Sequence, residues 1–80
     1  MEKNINKPIN EFEDILFAAF LEYRGHTVTP YKQPNGRIIF EIIGDISRDV
    51  EAFYLNQQVG VLDYSRIIKD LERRIKNIKK

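Results

Sequence analysis

The chain has 80 residues, no cysteine, a single histidine and a formal net charge of +1, with 31% of its residues charged. That length predicts one domain with little interior to spare, and the missing thiols exclude disulfides and thiolate metal sites. Residues 66–80 carry seven Lys/Arg against two acids, whereas residues 1–65 carry six against ten. An acidic body therefore precedes a basic end, a distribution that points to a polyanion or an acidic protein surface.

Met1 to Asn10 is polar and lacks the apolar run of a signal peptide. The longest nearly apolar stretch, Ile15 to Leu21, is too short to span a bilayer. A soluble cytoplasmic protein with no membrane partner is expected. Residues 1–9, which include Pro8, read as a flexible lead-in to one compact domain over residues 10–80. Asn10 followed by Glu13 reads as a capping-box variant, with Glu11, Glu13 and Asp14 at the positive end of a helix. That helix is expected from Glu11 to Arg24, ended by Gly25. Phe12, Ile15, Leu16, Ala19 and Tyr23 line one side of it, while Phe17, Ala18 and Leu21 point elsewhere. A helix apolar nearly all round is buried nearly all round. Two placements for Phe17 and Leu21 follow, beneath the last helix or in a homodimer interface.

His26 to Gln33 has the alternation and β-branched content of a strand, and Pro30 restricts it to an edge. Pro34-Asn35-Gly36 is a turn, because proline presets the first corner and Asn and Gly accept positive φ. Arg37 to Ile43 is the second strand, with apolar residues on both faces. Asp45 or Ser47 is expected to cap a short second helix ending near Asn56, with Asp49 and Glu51 as favourable first-turn charges. After a connector over Gln57 to Leu62, Asp63 caps the last helix. The predicted fold is α+β, in the order α-β-β-α-α, a β-hairpin packed on three helices.

The last helix has two unlike faces. At about 100° per residue, Tyr64, Ile67, Ile68, Leu71, Ile75 and Ile78 gather on one side. Arg66, Lys69, Arg73, Lys76 and Lys80 form a stripe roughly opposite, at alternating spacings of three and four, and Arg74 adjoins Arg73. The apolar seam also fits a short heptad, but packing on the first helix is the favoured reading. A row of cations one turn apart meets successive phosphates of a nucleic-acid backbone. The competing reading is a solvated helix face whose cations answer the helix dipole. Tyr31, Tyr54 and Arg37 are further contacts should the target be single-stranded.

Catalysis has little to build on. There is no glycine-rich phosphate loop, and the carboxylates Glu41, Asp45, Asp49 and Glu51 lack the nearby lysine of a two-metal nuclease site. His26 has no partner at metal-ligand spacing and reads as a residue beside a helix end. No enzyme, metal, cofactor or small-molecule ligand is expected.

Several segments carry a likeness to a known group. These are Leu16-Phe17-Ala18-Ala19-Phe20-Leu21 leading to Arg24-Gly25-His26, then Asn35-Gly36-Arg37 with Phe40. Ala52-Phe53-Tyr54 and the basic last helix with Leu71 and Arg73-Arg74 complete it. Over about residues 12–75 the chain resembles a family of short α+β domains in viral and mobile-element-associated microbial proteins. That family has no assigned activity, so the resemblance implies a compact accessory protein and transfers no functional residue. The expected function is a small non-enzymatic accessory protein that binds nucleic-acid phosphates through Arg66, Lys69, Arg73, Arg74, Lys76 and Lys80. The alternative is a homodimeric interaction module using Phe17 and Leu21.

Overall fold

The computed structural model describes residues 9–79, and its sheet grows from the Pro34-Asn35-Gly36 turn. Gln33 N–H donates to the Arg37 carbonyl and Gly36 N–H to the Gln33 carbonyl, both at 2.8 Å. Gly36 takes a φ of +89°, which an L side chain rarely adopts. The turn joins β2 (Thr29–Lys32) to β3 (Ile38–Ile43), antiparallel, with Pro30 opposite Phe40 and Lys32 opposite Ile38. β2 is an edge strand, where a proline with its missing N–H turned from the sheet costs no ladder bond.

The α+β class stands, and the hairpin gains a third strand. β1 (Ile9–Phe12) pairs with the other side of β3, giving the order β1-β3-β2. This corrects the expected start of the first helix. Ile9 to Phe12 is extended, and α1 runs only from Ile15 to Tyr23. Residues 1–8 of the expected lead-in lie outside the described residues, and Ile9 already belongs to the sheet. Asn10 does not cap a helix. Its side-chain amide donates to the carbonyls of Ile42 and Gly44, at 3.2 and 2.8 Å, and so fastens β1 to the end of β3. The helix cap is Asp14, whose carboxylate accepts from Leu16 N–H at 2.9 Å. A two-stranded hairpin is marginal alone, and the second edge of β3 takes four residues expected as the end of the lead-in, the helix cap and the first two helical positions.

Strand alternation separates the two sheet faces. Phe12, Ile38, Phe40 and Ile42 face the interior, where Phe40 and Ile42 are buried. Ile9, Glu11, Tyr31, Glu41 and Ile43 share the outward face, and Ile9 and Ile43 are exposed. α1 lies over the inner face with Phe17, Ala18, Ala19, Phe20 and Leu21 all buried. Its surroundings are supplied by β1, by α2 (Ser47–Tyr54) and by α3 (Val61–Lys79). The Phe17 ring meets Phe12 edge-on at 4.6 Å and Phe53 at 4.8 Å, while Phe20 meets Phe53 at 5.5 Å.

Phe17 and Leu21 are therefore core residues of a single chain, 7% and 0% exposed, and neither is available to a second subunit. The interface expected at these two positions is corrected. The additional layer that encloses α1 is β1, together with the aromatic end of α2. No described helix is long and apolar enough to cross a membrane.

Candidate nucleic-acid interface

α3 begins one turn earlier than expected. The Gly60 carbonyl accepts from Tyr64 N–H at 2.9 Å, and Asp63 sits inside the first turn, where its charge faces the helix dipole. Leu71 is fully buried, and Tyr64, Ile67, Ile68 and Ile75 pack around the same core. This apolar side lies against α1 and β2. Tyr64 Oη donates to the Leu16 carbonyl at 2.5 Å, pinning the first turns of α1 and α3 together. Burial holds that hydroxyl protonated above its usual range, with the Asp14 carboxylate adding in the same direction. Fixing the apolar half of the helix fixes the direction of the other half.

That outward half carries Arg66, Lys69, Arg73 and Lys76, all exposed. Ten residues separate the first from the last, which at about 1.5 Å per residue is a row of about 15 Å. Arg66 lies 3.4 Å from Asp63, and Arg73 lies 3.7 Å from Asp70, both as exposed i,i+3 pairs. Such pairs contribute about 0–1 kcal/mol, so they do not withhold either guanidinium from a phosphate. Lys80, the end of the expected stripe, lies outside the described residues.

Arg74 does not belong to this row. Its guanidinium turns back to the body, donating to the Val28 carbonyl at 3.2 Å and to Glu22 at 2.8 Å, with Asp70 at 3.0 Å. It bonds α3 to α1 and to the approach to β2, and its Nε is buried without a partner among the described residues. The expectation that Arg74 contacts phosphate is corrected. A position 100° round the helix from Arg73 faces the flank of the domain rather than solvent.

Beside the row runs a groove of about 710 Å³. Ile15, Ile38, Phe40 and Ile75 form its apolar floor, and Lys69, Arg73 and Lys76 stand along one side with Glu72. Glu13 also lines the groove and is ion-paired to Arg37, which brings a fourth cation near it. Tyr31, by contrast, is on the outward sheet face, where its hydroxyl donates to Glu11. That bond, then the cost of desolvation and the charges of Glu11 and Glu41, keep the phenol protonated above its usual range. Tyr54 is 78% exposed at the end of α2 and does not line the groove.

Asp49 has a role beyond the first-turn charge expected of it. It lies in the first turn of α2, as expected, but it is 9% exposed. Its two oxygens accept from Arg24 Nε at 2.7 Å and lie 2.6 Å from His26 Nε2. Burial opposes ionisation of this carboxyl, but the bonds and charges of His26 and Arg24 outweigh it and hold the group below the usual carboxylate range. The cluster joins the end of α1 to α2, and it accounts for the only histidine. Arg24, Gly25 and His26 beside a helix end were the available signal, with the partner 23 residues away from His26. Among the described residues no group of three or more His, Asp or Glu is placed to hold a metal ion.

Comparison with protein-family models, curated proteins and solved structures finds no match for the chain. The functional reading therefore rests on its own residues.

Proposed function

We propose that this chain is a small, non-enzymatic accessory protein that binds nucleic acid through its phosphate backbone, in a cytoplasmic setting. The observation that carries the reading is the exposed row Arg66, Lys69, Arg73 and Lys76 on a helix whose opposite side is core. A rigid helix fixes the backbone spacing of these cations before the polyanion arrives, so only their exposed side chains remain to be ordered on binding. Four phosphate contacts predict that log affinity falls against log salt with a slope of about −2.8 for a single strand or −3.6 for a duplex. Fluorescence anisotropy of labelled oligonucleotides between about 50 and 200 mM salt measures this slope. Binding that is undetectable at the low-salt end would overturn the proposal.

A second reading, a homodimeric interaction module, draws support from a different surface. Leu55, Val61 and Leu62 are each about three-quarters exposed at the two ends of the connection between α2 and α3. Exposed apolar side chains mark contact surfaces where they form a contiguous patch, and the adjacent Val61 and Leu62 are the start of one on α3. Light scattering across a concentration series tests this reading. A monomer at every concentration removes it, and a dimer dispersed by Leu62→Lys supports it.

A further inference from the structure

We infer that the groove beside the basic row takes an unpaired base, so that the target of this protein is single-stranded nucleic acid. The inference rests on the phosphate-binding reading and adds the strand state of the target. A protein that met only phosphates would need only the row. Here Lys69, Arg73 and Lys76 are also a wall of the groove, whose accessible floor is the aliphatic Ile15, Ile38 and Ile75, with Phe40 only 1% exposed beneath them. The groove is open, and its volume of about 710 Å³ lies in the range of clefts that accommodate small organic groups.

The juxtaposition suits one chemical unit, an apolar plate joined to an anion on either side. A nucleotide within a single strand has that form. Its base face sheds water against the isoleucines while the phosphates before and after it meet cations one helical turn apart. A duplex keeps its bases stacked and paired, so it offers phosphates to the row and nothing to the floor. Flipping a base out would cost a few kcal/mol of unstacking that an aliphatic floor does not recover. Glu13 and Glu72 lie within the lining as well. The Arg37 partner of Glu13 offsets one of these charges and leaves cations in excess along the strand path.

The experiment compares three fluorescent ligands of equal length with the full chain at low salt: an oligothymidylate, the same backbone with abasic residues, and a duplex. Base contacts with an aliphatic floor fall at the low end of stacking energies, so the thymidylate is expected to bind about fivefold to tenfold more tightly than the abasic strand. The duplex is expected to bind no more tightly than the abasic strand. Equal affinity for all three would overturn the inference and leave phosphate binding intact. No binding to any would overturn both. Amide chemical shifts locate the contact without altering the fold. Thymidylate should shift Ile15, Ile38 and Ile75 beyond the abasic strand's effect, and shifts confined to the exposed side of α3 would remove the groove as the site.

Discussion

Replacing Asp49 by Asn tests the account of the fold at the one buried charged side chain among the described residues. The substitution keeps the volume but removes the charge and one acceptor, and it sets an amide N–H₂ against either Arg24 or His26. Asp49 is 9% exposed, and its two bonds, at 2.7 and 2.6 Å, are made to groups that are themselves mostly covered. A hydrogen bond to a charged partner contributes about 1.5–3 kcal/mol against 0.5–1.5 for a neutral one. Losing one bond and weakening the other should cost about 2–3 kcal/mol. A chain of this size has roughly 4–12 kcal/mol in all, so the midpoint of thermal unfolding should fall by about 10–20 °C. The effect also has a pH signature. Because the carboxyl pKa is lowered on folding, ionised Asp49 stabilises the fold above its unfolded value of about 3.9. That stabilisation is lost as pH falls through the still lower folded value. Circular dichroism melts of both proteins should therefore differ fully near neutral pH and converge in acid. An unchanged midpoint at neutral pH, or a deficit that persists in strong acid, would refute the cluster's role.

Three further substitutions probe the elements that hold the site. Leu71→Ala empties a fully buried position under α3 and should cost about 2–5 kcal/mol in urea unfolding. Asn10→Ala removes both bonds that fasten β1 to the end of β3; about 1–2 kcal/mol should be lost, with faster amide exchange in β1 than in β2. Arg74→Met keeps the packed stem but breaks the bonds to Val28, Glu22 and Asp70. Because these groups are partly solvated, the expected loss is only about 1 kcal/mol, with no change in oligonucleotide affinity.

The two faces of α3 could be read from spacing alone, because a long helix with one packed side obeys its 3.6-residue period closely. The β2–β3 turn was legible through Pro34 and Gly36, which takes the positive φ expected of it; Asn35 does not, and serves instead by accepting from Arg37 N–H through its side-chain oxygen at 3.0 Å. What spacing could not show was long-range. Ile9 to Phe12 became a strand because β3 had a free edge, and Asn10 found its acceptors 32 and 34 residues on. That strand helped to settle Phe17 as core through the Phe12 ring, while Leu21 is fully buried in the same cluster as Leu71 of α3. The long-range roles of Arg74 and Asp49 were hidden for a related reason, although Asp49 does occupy the first turn of α2 as expected. Each fits a local rule, a basic stripe or a first-turn acid, yet its partners come from other elements.

The row on α3 is the centre of the functional account, and the salt dependence of binding tests it most directly. Oligothymidylate affinity should fall against log salt with a slope of about −2.8 for the natural chain, and the combined Lys69→Gln, Arg73→Gln, Lys76→Gln variant should flatten it to about −0.7. Arg74→Met should retain the full slope. A triple variant that binds with the natural slope would contradict the assignment of phosphate contacts to this face.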